Sequence, residues 1–137
     1  MSMVLDASLT MARFHANEIT NEVLKVYAEV NLTGAWVPPL WQIEVANVLQ
    51  SNVRKGRYDV SYRDQTLKDL AQLNISVDAE SPDHLWSTTV DLAYRHRLTV
   101  YDAIYLELAL RRNLPLATHD TDLRAAATRE GDPLLGL

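Results

Sequence analysis

The chain has 137 residues, the length of one domain, and we assign a single domain to residues 1–137. Its formal net charge of −5 argues against the basic surface that is typical of constitutive nucleic-acid binders. Its composition, 47% hydrophobic and 23% charged without any cysteine, is typical of a globular protein and excludes a disulfide framework and a thiolate metal site. No apolar run reaches the roughly 18 residues of a membrane helix, so we expect a cytoplasmic protein that does not contact a membrane.

Short β-like runs alternate with longer helical runs along the chain. In chain order we predict a strand at 3–6, helices at 7–14 and 19–30, a strand at 36–38, and helices at 39–55 and 61–73. The prediction continues with a strand at 75–77, helices at 81–96 and 100–112, a strand at 114–118, a helix at 122–129 and a short strand at 134–135. This alternation is typical of an α/β fold in which helices connect parallel strands.

Capping residues mark several of the predicted helix boundaries. Pro39 suits the first turn of a helix, where its missing N–H is not needed. Ser61 begins a run that resembles a capping box and is predicted to cap the helix at 61–73. Ser81 followed by Pro82 predicts another helix start, with the serine as the cap. Thr99 is predicted to cap the helix that begins at residue 100.

Four carboxylates stand in or beside runs that are predicted to be buried: Asp6, Glu44, Asp102 and Asp120. An unpaired buried carboxylate costs several kcal/mol or gives up its charge. Two of the four follow predicted strands and two lie near helix starts, so one edge of a parallel sheet can gather them all. Mg²⁺ and Mn²⁺ prefer carboxylate and water oxygens, and two such ions would offset four negative charges. We therefore predict a divalent-cation site.

Each acid also has a local interpretation. Asp6 and Asp120 can cap the helices that follow them, and Asp102 can be an acid in a first helical turn. Glu44 lies inside a helix between apolar neighbours and has no capping role. Its position therefore favours the shared site over the local interpretation.

Four segments of the chain resemble the sequence motifs of PIN domains, especially those of VapC-type toxins from toxin–antitoxin pairs. The segments are residues 4–8 (VLDAS), 38–49 (PPLWQIEVANVL), 98–109 (LTVYDAIYLELA) and 116–123 (LATHDTDL). Their order and spacing cover essentially the whole chain. The resemblance implies a PIN-like three-layer α/β/α sandwich with a short, mainly parallel central sheet of four or five strands and about seven helices.

The same resemblance implies a function. It indicates a Mg²⁺- or Mn²⁺-dependent endoribonuclease, the toxin of a type II toxin–antitoxin pair, which hydrolyses RNA phosphodiester bonds with metal-activated water. It further implies an RNA substrate, a cognate antitoxin and a homodimer as partners.

The resemblance also assigns roles to individual residues. The catalytic and metal-binding acids are Asp6, Glu44, Asp102 and Asp120. Thr118 supports the site by hydrogen bonding, and Ser8 in the first motif is a second supporting residue. Asp122 is an additional acid. It can join a second metal ion through water or start the last helix, and we favour the helix start.

A basic patch follows the helix predicted at 39–55. Arg54, Lys55 and Arg57 could bind RNA phosphates, and the neighbouring Tyr58 and Tyr62 could stack on an unpaired base. The acidic segment of an antitoxin is an equally good partner. The patch can also be an ordinary solvated helix end, which the helix dipole favours.

Large apolar residues exceed what one small core requires: Phe14, Ile19, Trp36, Trp41 and Trp86. We expect most of them in the core. Others could line a groove for an amphipathic partner helix or for a second copy of the chain.

Two alternatives to a nuclease can be weighed on the sequence. The acidic net charge favours a binding module that keeps the acids but works within a complex. A phosphoacceptor receiver domain would carry an acidic pair after the first strand and a lysine after the last. Here Asp6 is followed by Ala7 and Ser8, and no lysine lies beyond Lys68, so the receiver class is disfavoured.

Overall fold

The computed structural model describes residues 2–137 and contains five strands and eight α-helices. The strands are β1 (Met3–Leu5), β2 (Ala35–Val37), β3 (Ile75–Val77), β4 (Leu116–Ala117) and β5 (Leu134–Leu135). The first helices are α1 (Ala7–Ala12), α2 (Asn21–Thr33), α3 (Pro39–Arg54) and α4 (Val60–Ala71). The remaining helices are α5 (Ser81–His84), α6 (Val90–His96), α7 (Val100–Arg112) and α8 (Thr121–Arg129). A π-helical turn at Leu85–Thr89 joins α5 to α6, so the described residues form seven separate helical rods.

The strands form one sheet in the order β3-β2-β1-β4-β5, and every pairing is parallel. The chain runs outward from β1 to β3, then returns to the other side of β1 for β4 and β5. Because parallel crossovers are right-handed, this reversal puts α1–α4 on one face of the sheet and α5–α8 on the other. Accordingly, α3 packs on α1 and α4, whereas α7 packs on α5, α6 and α8. The predicted α/β/α sandwich is confirmed.

The core lies on both faces of this short sheet. All three residues of β1 are fully buried, as expected for a central parallel strand that is covered on both sides. Helix α7 contributes Tyr105, Leu106 and Leu108, which are also fully buried. Because α7 packs against both β1 and β4, its position is fixed relative to the carboxyl ends of those two strands.

The five large apolar residues singled out in the sequence fall into three groups. Trp41 is buried, and its indole N–H donates to a threonine hydroxyl of α1 at 2.9 Å. Phe14 and Trp36 are half-buried against the core. Ile19 and Trp86 are exposed. The core therefore uses three of the five.

Two of the predicted helix caps are wrong. The carboxylate of Asp59 accepts from the N–H of Tyr62 at 2.8 Å, so α4 begins before Ser61 and encloses it. Asp59 is the cap in place of Ser61 because its backbone is extended just ahead of the helix, as a cap requires. Ser81 does not cap α5, because its hydroxyl donates instead to the buried carboxylate of Asp78 at 2.6 Å. Thr99 caps α7 as predicted.

The fourth strand is shorter than the predicted range 114–118. Asn113 adopts a left-handed conformation at the end of α7, and Leu114 N donates to Ala109 O at 2.9 Å, so residues 113–114 still belong to the helix end. Thr118 turns its hydroxyl to the end of β1 instead of continuing the strand. None of the helices within residues 2–137 combines the length and the apolarity that crossing a bilayer requires.

Candidate active site

The site lies where the chain order reverses, between the carboxyl ends of β1 and β4. The connection after β1 leaves on one face of the sheet and the connection after β4 on the other, which opens a crevice at this point. Asp6 is the first residue after β1, and Thr118 is the first after β4. The N-terminal parts of α3 and α7 carry Glu44 and Asp102.

Asp6 is the most buried of the four acids, with 4% of its surface exposed. Its carboxylate accepts from the N–H of Leu9 at 2.9 Å, from the hydroxyl of Ser8 at 2.8 Å, and from the hydroxyl of Thr118. Burial raises the pKa of Asp6, these hydrogen bonds oppose the rise, and the charge of Asp120 adds to it. Asp6 therefore caps α1 and belongs to the crevice at the same time.

Hydrogen bonds also join the segment after β4 to the segment after β1. The Asp120 N–H donates to the Thr118 hydroxyl at 3.0 Å, and the His119 N–H donates to the Ser8 hydroxyl at 3.3 Å. The carboxylate of Asp120 accepts from the Leu123 N–H at 2.8 Å and caps α8. The two hydroxyls thus connect the exits of both strands, and the local capping interpretation of Asp120 holds together with its place beside Asp6.

Asp102 is half-buried in the first turn of α7, where the hydroxyl of Thr99 accepts from its N–H at 3.1 Å. The pKa of Asp102 is raised to about 6, first by burial and then by the negative charges of the other three acids. Within residues 2–137, none of the four acids forms an ion pair with a basic side chain. The structure therefore brings the four predicted acids into one electrostatic neighbourhood without a compensating cation.

Glu44 is bound by a residue that the sequence analysis missed. The hydroxyl of Tyr105 donates to Glu44 Oε1 at 2.6 Å, from a side chain that is 2% exposed. Burial, this hydrogen bond and the charge of Glu44 all raise the pKa of Tyr105 far above its usual range, so the phenol remains a neutral donor. The available signal was spacing, because Tyr105 lies three residues after Asp102 and hence on the same face of α7.

The chemistry of this donor set fits a hard divalent cation. It offers carboxylate oxygens, the ligands that Mg²⁺ and Mn²⁺ prefer, and it carries negative charge that no basic side chain within residues 2–137 neutralises. No three acidic or histidine side chains in the described part of the chain already surround a common point at metal-binding distance. Like charges repel one another, so we expect the carboxylates to draw together only around a cation.

The other residues that the sequence singled out lie outside the crevice. Arg54, Lys55 and Arg57 are exposed at the far end of α3. Arg54 is ten residues beyond Glu44, about 15 Å along the helix axis. Asp122 is exposed in the first turn of α8, as the interpretation that it starts the helix requires.

Comparison with known proteins identifies the family. The model of the PIN domain family matches residues 3–128. The chain belongs to the PIN domain family. PIN domains are generally nucleases that use divalent metal ions. No curated protein matches the chain.

Three solved structures share the fold. PAE2754 from Pyrobaculum aerophilum is 23% identical, with a TM-score of 0.67 over 92% of this chain and 84% of that one. FitAcB from Neisseria gonorrhoeae is 15% identical, with a TM-score of 0.68 over 98% and 96% of the two chains. A toxin–antitoxin complex from Klebsiella pneumoniae is 18% identical, with a TM-score of 0.55 over 87% of each chain. At these identities the likeness shows the fold alone.

Proposed function

We propose that this PIN domain is a Mg²⁺- or Mn²⁺-dependent endoribonuclease that hydrolyses RNA phosphodiester bonds with metal-activated water. One observation carries the proposal: burial raises the pKa of Asp102 to about 6, the charges of Asp6, Glu44 and Asp120 add to this shift, and none of the four acids pairs with a basic side chain within residues 2–137. Structural acids are normally paired, and strongly perturbed, unpaired acids in a crevice are typical of functional sites. The acids would also repel RNA unless a cation lay between them.

The chain's own residues would divide the work as follows. Asp6, Glu44, Asp102 and Asp120 would hold the ion. Ser8 and Thr118 would keep Asp6 oriented, since both hydroxyls already donate to its carboxylate. A bound Mg²⁺ or Mn²⁺ supplies an activated water and stabilises the leaving oxygen of the phosphodiester. No side chain would act as a covalent nucleophile.

Asp122 and the basic patch would have roles other than direct binding of the ion. We assign Asp122 to the helix start, with a water-mediated contact to a second ion as the alternative. Arg54, Lys55 and Arg57 are exposed and free to contact RNA phosphates or the acidic segment of an antitoxin. Because Arg54 lies about 15 Å beyond Glu44 along the helix axis, the patch would bind a part of the partner that is remote from the cleaved bond.

We infer that the protein is a VapC-like toxin that acts on RNA in the cytoplasm and is neutralised by an antitoxin. The fold that it shares with the Klebsiella pneumoniae toxin–antitoxin complex supports this. Expression of the chain alone should arrest growth, and expression of an Asp102→Asn variant should not. Normal growth with abundant wild-type protein would count against toxicity but not against the nuclease.

A homodimer is supported by exposed aromatic surface. Trp86 and Tyr94 are 91% and 85% exposed, and Val90 lies between them at a spacing of four residues. Two such aromatic side chains supply roughly 300–400 Å² of the ~800 Å² per partner that a stable interface buries. Sedimentation of the wild type and of Trp86→Glu tests this, since a dimer formed through this surface should dissociate in the variant.

The nuclease itself is tested by cleavage of a panel of single-stranded and structured RNAs. We expect cleavage with Mg²⁺ or Mn²⁺, none with EDTA, and none by folded Asp6→Asn or Asp102→Asn variants. Wild-type rates in either variant would exclude this mechanism. The alternative, a catalytically weak binding module, would show no divalent-cation binding at millimolar concentration by calorimetry, with or without RNA.

A further inference from the structure

Tyr105 contacts the candidate site without being one of its acids. We propose that Tyr105 is a positioning residue: its hydroxyl occupies one oxygen of Glu44, holds the side chain in a single rotamer and leaves the second oxygen for the divalent cation. This inference rests on the proposed function, because it concerns how the same site is assembled.

The core holds Tyr105 in a fixed position. Its ring is fully buried on α7, which packs against β1 and β4, so the position of the hydroxyl is fixed by the core. The hydroxyl donates to Glu44 Oε1 at 2.6 Å, a length typical of a strong hydrogen bond to a carboxylate. Asp102 lies one turn earlier on the same face of α7. One helix therefore carries one acid of the site and the group that holds another.

Without the hydrogen bond from Tyr105, the Glu44 side chain would be mobile. A glutamate side chain has three rotatable bonds and loses conformational entropy when it is fixed. Within residues 2–137, no other protein donor contacts the Glu44 carboxylate. The charges of three neighbouring acids would turn a free Glu44 toward solvent, whereas Asp6 and Asp120 are held by backbone N–H groups. Glu44 is therefore the acid that most needs a positioning partner.

A matched control exists elsewhere in the chain. Tyr27 is partly buried, and its hydroxyl donates to a backbone carbonyl, Thr10 O, at 2.6 Å. Tyr27→Phe and Tyr105→Phe each remove one hydroxyl that makes one short hydrogen bond. Only Tyr105 contacts an acid of the site, so a difference in cation binding between the two variants reports positioning and not a general loss of stability.

The experiment is a Mn²⁺ titration of folded wild type, Tyr105→Phe, Tyr27→Phe and Glu44→Gln, followed by electron paramagnetic resonance and paired with RNA cleavage. We expect roughly tenfold weaker Mn²⁺ binding by Tyr105→Phe, since groups that orient metal ligands commonly have effects of this size. Saturating Mn²⁺ should largely restore its cleavage. Tyr27→Phe should bind as the wild type does. On the Glu44→Gln background, Tyr105→Phe should change binding less than about twofold, because no charged ligand remains to be positioned.

Four results would overturn the proposal. If Tyr105→Phe binds Mn²⁺ as tightly as the wild type, or if its loss is fully additive with Glu44→Gln, Tyr105 does not act through Glu44. If the wild type binds no Mn²⁺, the proposed function fails together with this inference. If a variant folds poorly, a measurement on the wild-type protein can replace it. Titration of the wild type with Mg²⁺ should shift the hydroxyl proton resonance of Tyr105 and not that of Tyr27. An unshifted Tyr105 resonance would also contradict the proposal.

Discussion

Two groups of acids lie in this small domain, and only one of them has basic partners. The arginine network consists of Asp78, Glu80 and Glu107 with Arg111 and Arg112. Asp78 and Glu107 are buried, and their carboxylates accept from the Arg111 guanidinium at 2.6 Å and 2.8 Å. Arg112 binds Asp78 at 2.9 Å. The site acids, Asp6, Glu44, Asp102 and Asp120, have no such partner within residues 2–137.

The pKa values of Asp78 and Asp102, one acid from each group, move in opposite directions. Burial alone would raise the pKa of Asp78, but hydrogen bonds from Arg111, Ser81 and Arg112 overcome this effect and hold the pKa below its usual range. Burial raises the pKa of Asp102 to about 6, and there the neighbouring charges increase the shift. Burial therefore does not by itself distinguish the candidate site, since burial alone also raises the pKa of Asp132 to about 6. What distinguishes the candidate site is that several acids lie close together without a basic partner within residues 2–137.

The largest effect should come from breaking the arginine network. Arg111→Met removes the partner of two buried carboxylates, and we expect a loss of about 3–5 kcal/mol in the free energy of unfolding. Urea denaturation measures it. Arg95→Met is the control, because its ion pairs are exposed and should contribute less than about 1 kcal/mol. A loss under about 1 kcal/mol for Arg111→Met would show that the network does not support the fold.

Asp78 and Asp102 should respond to pH in opposite directions. The folded-state pKa of Asp102, about 6, lies above its ordinary value of 3.8, so the folded protein binds more protons between these values. Without metal, the free energy of unfolding should therefore fall by about 1–2 kcal/mol as pH rises from about 4 to 6, after allowance for solvent screening. Asp78, with its lowered pKa, should cost stability only as pH falls below its ordinary range. Urea denaturation across pH 3–8 measures this dependence. A free energy of unfolding that rises steadily from pH 4 to 6 would contradict the prediction.

Removing one charge from the site should stabilise the metal-free protein. Asp102→Asn relieves repulsion by the other acids, partly offset by loss of a favourable first-turn charge, and we expect a gain of about 1 kcal/mol. Glu22→Gln is the control, since Glu22 is a first-turn acid of α2 that pairs with Lys25 at the surface. It should lose a few tenths of a kcal/mol. Destabilisation by both variants would show that Asp102 is an ordinary helix-start acid.

The smallest effect should come from the exposed edge of the arginine network. The Glu80 side chain is 65% exposed although it pairs with Arg111 at 3.0 Å. Glu80→Gln should therefore change the free energy of unfolding by less than about 0.5 kcal/mol. A change above 1 kcal/mol would mean that the network extends to the surface as one unit.

The sequence predicted that the four acids lie close together because their positions follow from the strand ends and helix starts. Asp6 and Asp120 come directly after strands or their short exits, and the carboxyl ends of parallel strands share one sheet edge. The helix at 100–112 and its Thr99 cap are local features, and both are confirmed. Short-range rules were sufficient for these residues, although they gave the wrong caps for α4 and α5.

Interactions between distant segments escaped prediction. Asp78 and Arg111 are 33 residues apart, and nothing in either neighbourhood indicates that their side chains meet. The contact between Tyr105 and Glu44 spans 61 residues. The failed cap at Ser81 has a different cause, because its hydroxyl binds the buried Asp78, which is only three residues earlier in the chain. Side-chain pairing across the fold depends on packing that motif spacing does not encode.

The most direct test of the central claim is calorimetric titration of Mg²⁺ into folded protein at pH 7. We predict binding by the wild type and by Glu80→Gln, and loss of binding by Asp102→Asn, because Asp102 lies among acids that have no basic partner within residues 2–137, whereas Glu80 pairs with Arg111. A bound ion should also stabilise the wild type by about 1.4 kcal/mol at a concentration ten times its dissociation constant. Binding that survives in Asp102→Asn, or no binding by the wild type at millimolar Mg²⁺, would contradict the account.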